Sequence, residues 1–289
     1  MNKFRIIIPL LITACLIPAS LFGAAFNTGE KLEYSLSWNG IPAGTTVMEV
    51  RETSEINGKD AIHLSSRTWA NSFVSLFTKV GNDVDCYIDP DNFASLLCDI
   101  TSKSSKRTKY EKAIFDYDKN EVEYTETKSD KKNKKKTKTV MITSEIRDSF
   151  SSIYYLRTLD LKEGEKIEFD TFSGGTIFQN IITPIKKEKV SVDAGSFDTI
   201  KVKNVVMEDG KVIDEGENLF WLTDDEEKIP VKIKTKLEVG SLTAKLKTLV
   251  KGEVKLEKPL SAYSTPLPAV QDNETVSSPE HINQSPVSD

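Results

Sequence analysis

Histidine is almost missing from this chain: His63 and His281 are the only two in 289 residues, which leaves no material for a histidine-based catalytic triad or a multi-histidine metal site. Cysteine is scarce too, with three in all, and no Cys-x-x-Cys pair is present to run thiol–disulfide exchange. Gly174-Gly175 is the only glycine doublet and no Lys-Ser/Thr follows it, so a phosphate-cradling nucleotide loop is excluded. Acids do cluster, at Asp83, Asp85, Asp89 and Asp91 and again at Asp224, Asp225, Glu226 and Glu227. Neither group has the Asp-x-Asp-x-Asp-Gly spacing of a calcium loop, and both read as solvated turns. The chain therefore offers no catalytic residue, no metal ligand and no cofactor, and reads as a non-enzyme. His63 reads as an imidazole on the polar face of a strand.

Long apolar runs are absent as well. With 38% hydrophobic, 8% aromatic and 29% charged residues, the composition excludes a multi-span membrane protein, a collagen and a wholly disordered chain. A soluble globular protein remains. The one sustained apolar stretch, Ile6 to Phe22, is broken by Pro9 and Pro18, follows Lys3 and Arg5, and precedes the small residues Gly23, Ala24 and Ala25. That is the layout of a secretory signal rather than of a transmembrane helix, which needs roughly 20 apolar residues. Cleavage after Ala25 makes residues 1–25 a signal peptide and predicts an exported, periplasmic protein. Ile12-Thr13-Ala14-Cys15 supplies the alternative, a lipoprotein anchored through Cys15.

The formal charge of −5 becomes −7 once Lys3 and Arg5 leave with the signal, and an acidic exported protein is a poor partner for nucleic acid. Cys86 and Cys98 then remain, and in an oxidising compartment the pair is expected to be bridged. The segments Val84 to Ile88 and Ala94 to Cys98 read as strands around the turn cluster Asp89-Pro90-Asp91-Asn92, a register that sets 86 opposite 98. Closing so short a loop contributes on the order of 3 kcal/mol.

Residues 259–289 hold five of the eleven prolines, four acids and no Lys or Arg, and read as a disordered tail. Between signal and tail, residues 26–258 form one β-rich domain. Leu32, Tyr34, Leu36 and Trp38 alternate with polar residues, Asn39-Gly40 is a hairpin turn, and a second strand follows over 43–51. Similar alternation recurs along the chain at 61–68, 109–117, 121–127, 138–143, 166–172, 176–185, 188–192, 199–207, 218–222, 231–239 and 242–254. Two stretches break the pattern. Ser72 to Phe77 reads as a single helical turn, and Asp148 to Leu159 as a helix, with Phe150, Ile153, Tyr154, Leu156 and Leu159 at three- and four-residue spacing and Asp148 or Ser149 as its cap. The expected fold class is mainly β: a large curled antiparallel sheet, an open barrel or clam, with one short helix near 148–159.

Two surfaces invite a functional reading. Lys128, Lys131, Lys132, Lys134, Lys135, Lys136 and Lys138 form a basic run that reads as a solvated hairpin loop discouraging edge-to-edge pairing. Its functional reading is contact of Lys131, Lys132, Lys134, Lys135 and Lys136 with an anionic membrane surface. No aromatic interleaves with these lysines to stack on bases, which again argues against nucleic acid. Aromatic residues such as Trp38, Tyr154 and Trp221 read first as core, and second as the lining of an incompletely filled curl that holds apolar cargo.

Phe26, Gly29, Glu30, Leu32 and Tyr34, then Trp38, Gly40, Ala43 and Gly44, then Tyr154-Tyr155-Leu156-Arg157 with Gly164, then Ala194, Gly195 and Phe197, and finally Trp221, Asp224 and Ile229-Pro230-Val231 together resemble the exported bacterial proteins of domain of unknown function 3108. The resemblance spans about residues 26–250, implies no activity and carries no catalytic residues. The lysine run and the tail lie apart from it. Arg157, on the inner side of an apolar helix, needs a carboxylate or carbonyls for its five donors; its alternative role is to bind an anionic ligand group. The resulting expectation is a non-enzymatic envelope protein that binds a lipid, glycolipid or other amphipathic ligand through Trp38, Tyr154, Arg157 and Trp221. An envelope scaffold binding protein or polysaccharide is the second reading, and a cell-wall hydrolase the third.

Overall fold

The computed structural model describes residues 25–75, 80–129, 134–236 and 240–252. The signal segment with Cys15, the loop lysines Lys131 and Lys132, and the 259–289 tail lie outside the described residues. β1 (Lys31–Trp38) and β2 (Ile41–Val50) are joined by Asn39-Gly40, both at positive φ, 48° and 83°, which is the tight hairpin that an Asn-Gly pair favours. β3 (Ser54–Ile56), β4 (Lys59–Ala70), the single turn α1 (Ser72–Ser75), β5 (Gly81–Ile88), β6 (Ser95–Lys103), β7 (Thr108–Asp116), β8 (Glu121–Ser129) and β9 (Lys134–Met141) continue the meander. After β10 (Arg147–Asp148) and α2 (Ser151–Thr158) come β11 (Ile167–Ser173), β12 (Thr176–Val192), β13 (Gly195–Glu208), β14 (Lys211–Thr223), β15 (Pro230–Lys236) and β16 (Ser241–Val250).

These strands make one sheet in the order β10-β11-β12-β13-β14-β15-β16-β1-β2-β4-β5-β6-β7-β8-β9, with β3 beside β4. Its pairings are antiparallel except the short β10–β11 contact, so the expected curled antiparallel sheet is present and unclosed. The first and last described strands meet in the middle of the sheet, where β16 pairs β1 over Lys31–Val250 to Trp38–Leu242. The two edges fold toward each other. Phe172 of β11 meets Phe115 and Tyr124 edge-on, at 5.6 and 5.9 Å between centroids, and Lys138 Nζ donates to the Gly175 carbonyl at 2.8 Å. Gly175 sits at φ 82°, and a Cβ there would lie 2.9 Å from the Tyr124 ring, so only glycine lets the β11–β12 turn approach β8 this closely.

Side-chain alternation sends one face of each strand into the curl. Three packed clusters occupy it: one around Leu32, Tyr34, Leu64 and Tyr154, one around Cys86, Cys98, Phe115 and Val122, and one around Leu156, Ile182, Val202 and Leu222. The expectation of an incompletely filled interior gives way to this packing, because α2 and the folded-over edge supply the bulk that fills the concave side.

Four details differ from the sequence reading. Lys134, Lys135 and Lys136 belong to strand β9, not to a loop, since their backbone pairs with Lys128, Thr127 and Glu126 of β8. The segments 176–185 and 188–192 are one strand, whose register shifts between Pro184 and Lys186; a proline inside a sheet is tolerated at such an irregularity. β3 and β10 are too short to show alternation. The expected helix is present over Ser151–Thr158 with Phe150, and neither Asp148 nor Ser149, at its N-cap; Asp148 Oδ1, just ahead of it, accepts from the N–H groups of Phe150 and Ser151 at 2.8 and 2.9 Å, which satisfies donors the first turn cannot pair internally.

Cys86 lies directly opposite Cys98 and the two form a disulfide across a sequence separation of 12. Thiol labelling under denaturing conditions will find both blocked, and reduction will lower the unfolding free energy by about 3 kcal/mol. Full labelling without reductant would refute the bridge.

Candidate functional site

The four residues expected to line a ligand site do not share one. Tyr154 and Arg157 lie side by side in the core, at 0% and 1% exposure. Arg157 holds Glu30 in a two-pronged pair, Nη1 to Oε1 at 2.6 Å and Nη2 to Oε2 at 2.8 Å. It also donates to the Ala25 carbonyl at 2.6 Å and, through Nε, to the Glu227 carbonyl at 3.0 Å. Burial works against the guanidinium charge, yet the Glu30 hydrogen bonds and charge outweigh it and hold Arg157 above its ordinary pKa. The rings of Phe26 and Tyr154 pack against the guanidinium at 5.3 and 5.5 Å. This arrangement is the buried ion pair weighed in the sequence reading. Tyr154 meets Phe26 and Phe150 edge-on, and its hydroxyl, with no hydrogen-bond partner in the core, is pushed far above the usual tyrosine range by burial.

Trp221 is covered from the other side of β14. Its neighbours Phe220 and Leu222 join the core, while Trp221 packs under Lys232 and Lys201, 4.2 and 5.2 Å from its ring, and donates from Nε1 to Glu188 at 2.6 Å. Trp38 is half exposed at the end of β1. Lys134, Lys135 and Lys136 are exposed on β9, the last strand of the sheet, where charge blocks further pairing. His63 donates from Nε2 to Asp85 Oδ1 at 2.8 Å and stacks on Tyr87 at 4.4 Å. Among the described residues, Cys86, Cys98 and Asp148 are the one grouping with metal-ligating side chains, but the disulfide uses both sulfurs, and zinc-type ligation requires thiolates.

The structure instead brings together residues that sequence reasoning did not connect. A cleft of about 650 Å³ opens beside α2, walled by Glu145, Arg147, Tyr155, Glu168, Phe169 and Asp170. Each wall has a separate origin. The link from β9 to β10 carries Glu145, β10 carries Arg147, α2 turns Tyr155 outward while Tyr154 points to the core, and β11 supplies Glu168 to Asp170. Tyr155 and Phe169 meet edge-on at 5.2 Å, and the Arg147 guanidinium lies over the Tyr155 ring at 4.0 Å. Arg147 is 8% exposed; its Nη2 donates to the Asn92 carbonyl at 2.6 Å, while its Nε has no partner. Gln179, across β11 on β12, donates to Glu168 at 3.1 Å, and Asn92 donates to Glu145 at 2.9 Å. The result is an aromatic wall ringed by planar hydrogen-bonding groups. The doublet Tyr154-Tyr155 was the available signal, because adjacent helix positions face different directions and only one of the two rings can enter the core.

Two measurements check this geometry. Arg157→Leu leaves Glu30 buried without its counter-charge and will destabilise the protein by about 3–5 kcal/mol, whereas Glu30→Leu combined with Arg157→Leu will recover much of that loss; equal losses would mean that the pair is not coupled. Asp85 is held below its ordinary pKa, chiefly by the hydrogen bond from His63 and against partial burial. Its stabilisation is therefore complete above the unfolded carboxylate value, about 3.9, and disappears as pH falls through the lower folded value. Asp85→Asn will flatten the acid side of the stability–pH curve, read by thermal melting from pH 6 to 2.

The sequence profile of a family described as "protein of unknown function (DUF3108)" matches residues 33–247. No curated protein matches the chain. Among solved structures, it is similar to a β-barrel-like protein of domain of unknown function DUF1849 from Brucella abortus, at 12% identity, a TM-score of 0.54 and coverage of 79% of this chain and 99% of that one. It is also similar to a protein from Bacteroides fragilis described as exported with a YmcC-like fold, at 11% identity, a TM-score of 0.32 and coverage of 78% and 97%. A third similarity is to a protein from Parabacteroides distasonis described as a lipoprotein, at 12% identity, a TM-score of 0.29 and coverage of 78% and 98%.

Proposed function

The chain belongs to the family of unknown function DUF3108, and we propose that it is an exported, non-catalytic binding protein of the cell envelope, which holds the sugar-bearing head of a glycolipid in the cleft beside α2. The observation that carries this reading is the pairing of the Tyr155–Phe169 wall with Arg147, Glu168, Asp170 and Gln179 around one open volume. Pyranose rings offer an apolar C–H face, which packs on aromatic rings, and a rim of hydroxyls, which pair with planar amides, carboxylates and guanidinium groups. The packed interior supports a headgroup site at the surface over an acyl site within the curl. A binding role is supported by the state of the carboxylates: side-chain amides already engage Glu145 and Glu168, which suits fixed acceptors better than groups that must exchange protons.

Export rests on the segment from Lys3 to Ala25. Ala25 is buried and its carbonyl accepts from Arg157. Lipid attachment at Cys15 keeps that acceptor; cleavage after Ala25 removes it and sets a new ammonium beside the guanidinium. This supports anchoring through Cys15 over release into the periplasm.

Native mass spectrometry of protein recovered from its own envelope will show a co-purifying glycolipid and, from the polypeptide mass, the mature N-terminus. Tyr155→Ser with Phe169→Ala will weaken binding of the delipidated headgroup at least about tenfold, the loss of roughly 1.4 kcal/mol of aromatic contact. Turnover of the glycan by the unaltered protein, or undiminished binding by the double variant, would defeat the reading.

A further inference from the structure

Many lysines elsewhere on the protein are matched to acids. Lys31 pairs with Glu49, Lys103 with Asp83, Lys112 with Asp99, Lys187 with Asp224, Lys247 with Glu33 and Lys251 with Glu227. On the outer face of β13–β16 four lysines, Lys201, Lys203, Lys232 and Lys245, depart from that habit. Register places Lys201 opposite Trp221, Trp221 opposite Lys232, and Lys232 opposite Lys245, so the four side chains form one row across four strands. On the next row, Lys203 faces Leu219 and Leu219 faces Lys234. Lys186 extends the first row onto β12 opposite Lys201, and it is the member paired with an acid, to Glu188 at 2.7 Å. Among the described residues no acid stands within ion-pair distance of Lys201, Lys203, Lys232 or Lys245.

Directly opposed like charges destabilise a sheet, and here Lys232 faces Lys245 on adjacent strands. Burial first, and then the charges of Lys245, Lys234 and Lys201 against the single opposing influence of Glu188, hold the Lys232 ammonium below its ordinary pKa. Trp221, almost fully covered, forms the floor of the patch: Lys201 and Lys232 lie over its ring and Glu188 fixes its N–H. The ammonium groups of Lys201 and Lys232 thus rest over the indole face, half-exposed, while Lys203 and Lys245 beside them are exposed.

We infer that this outer face of β13–β16 is a docking surface for the phosphate headgroups of an anionic membrane. The patch is two-dimensional, spanning roughly 15 Å from β13 to β16 and two rows of residues, and neither the cleft beside α2 nor the depression near Trp69 lies on it. An area without walls suits an extended charged surface better than a discrete small anion. Its cations are all lysines, mobile point charges suited to a fluid array of phosphates, and not arginines set for two-pronged recognition of one group. The glycolipid cleft is built from other residues.

The test is co-sedimentation of the full-length chain with vesicles of phosphatidylcholine alone or with 30% phosphatidylglycerol, so that any contribution of the apolar leader cancels in the difference. The charge-dependent part of binding will fall about fivefold for each lysine removed, hence about a hundredfold in K201Q/K232Q/K245Q. K134Q/K135Q/K136Q, on the β9 edge, will bind as the parent does. In the unaltered protein, anionic vesicles will protect Lys201, Lys232 and Lys245 from acetylation, a readout that does not depend on any variant folding. Unchanged binding of the first variant, an equal loss in the second, absence of protection, or binding of soluble polyphosphate without binding of anionic vesicles would each overturn the inference.

Discussion

A single guanidinium holds three distant parts of the chain in place. Arg157 reaches from α2 to Glu30 at the start of β1, to the Ala25 carbonyl before it, and to the Glu227 carbonyl in the turn between β14 and β15. Desolvating an ion pair is costly, and the geometry recovers that cost only because both carboxylate oxygens and two carbonyls are engaged at once. α2 is short and could not hold its position on the sheet by its own hydrogen bonds. With Arg157 fixed, Tyr154 is pressed into the core and Tyr155 is left facing out, so the cleft on the far side of the helix inherits its shape from the latch.

The sheet handles its two edges differently. β9 stays exposed and is guarded by lysines, whereas β10 is tucked under: Ser95 donates to Asp148 at 2.7 Å, the Ser95 N–H donates to the Ile146 carbonyl at 2.9 Å, and Phe172 follows into the second core cluster. An open sheet of this length would otherwise present two templates for pairing with other chains. Folding one edge inward also creates the cleft, since Glu145 lies on the link that crosses from one edge to the other and Arg147 opens the edge strand β10.

Much of the architecture was legible because strands advertise themselves by period. Leu32 to Trp38 alternates cleanly, Asn39-Gly40 and Asn57-Gly58 mark their turns, and Asp89 to Asn92 sets the register that joins Cys86 to Cys98. Arg157 was legible as a buried charge in need of a carboxylate, though not which one, because Glu30 is 127 residues away. The lysine run misled for a physical reason: the first half of a solvent-exposed edge strand carries no apolar residue, so Lys134 to Thr137 of β9 show no alternation to read. The cleft left one local trace, the Tyr154-Tyr155 doublet, and no more, as its walls come from three elements that share no motif. The basic face left one too, in the Lys-x-Lys spacings at 201–203 and 232–234, where a period of two sends both lysines of a strand to one side. It is recognisable only once the strands are known to be neighbours.

The pairing of β1 with β16 has a consequence for how the molecule comes to be. The first strand to leave the ribosome must wait for the last before its outer hydrogen bonds are met, and Leu32 and Tyr34 stay without Leu246 until then. A chain built this way acquires its native core late, after nearly all of it has been synthesised. The same delay keeps the polypeptide threadable, the condition in which a chain crosses a narrow translocation pore.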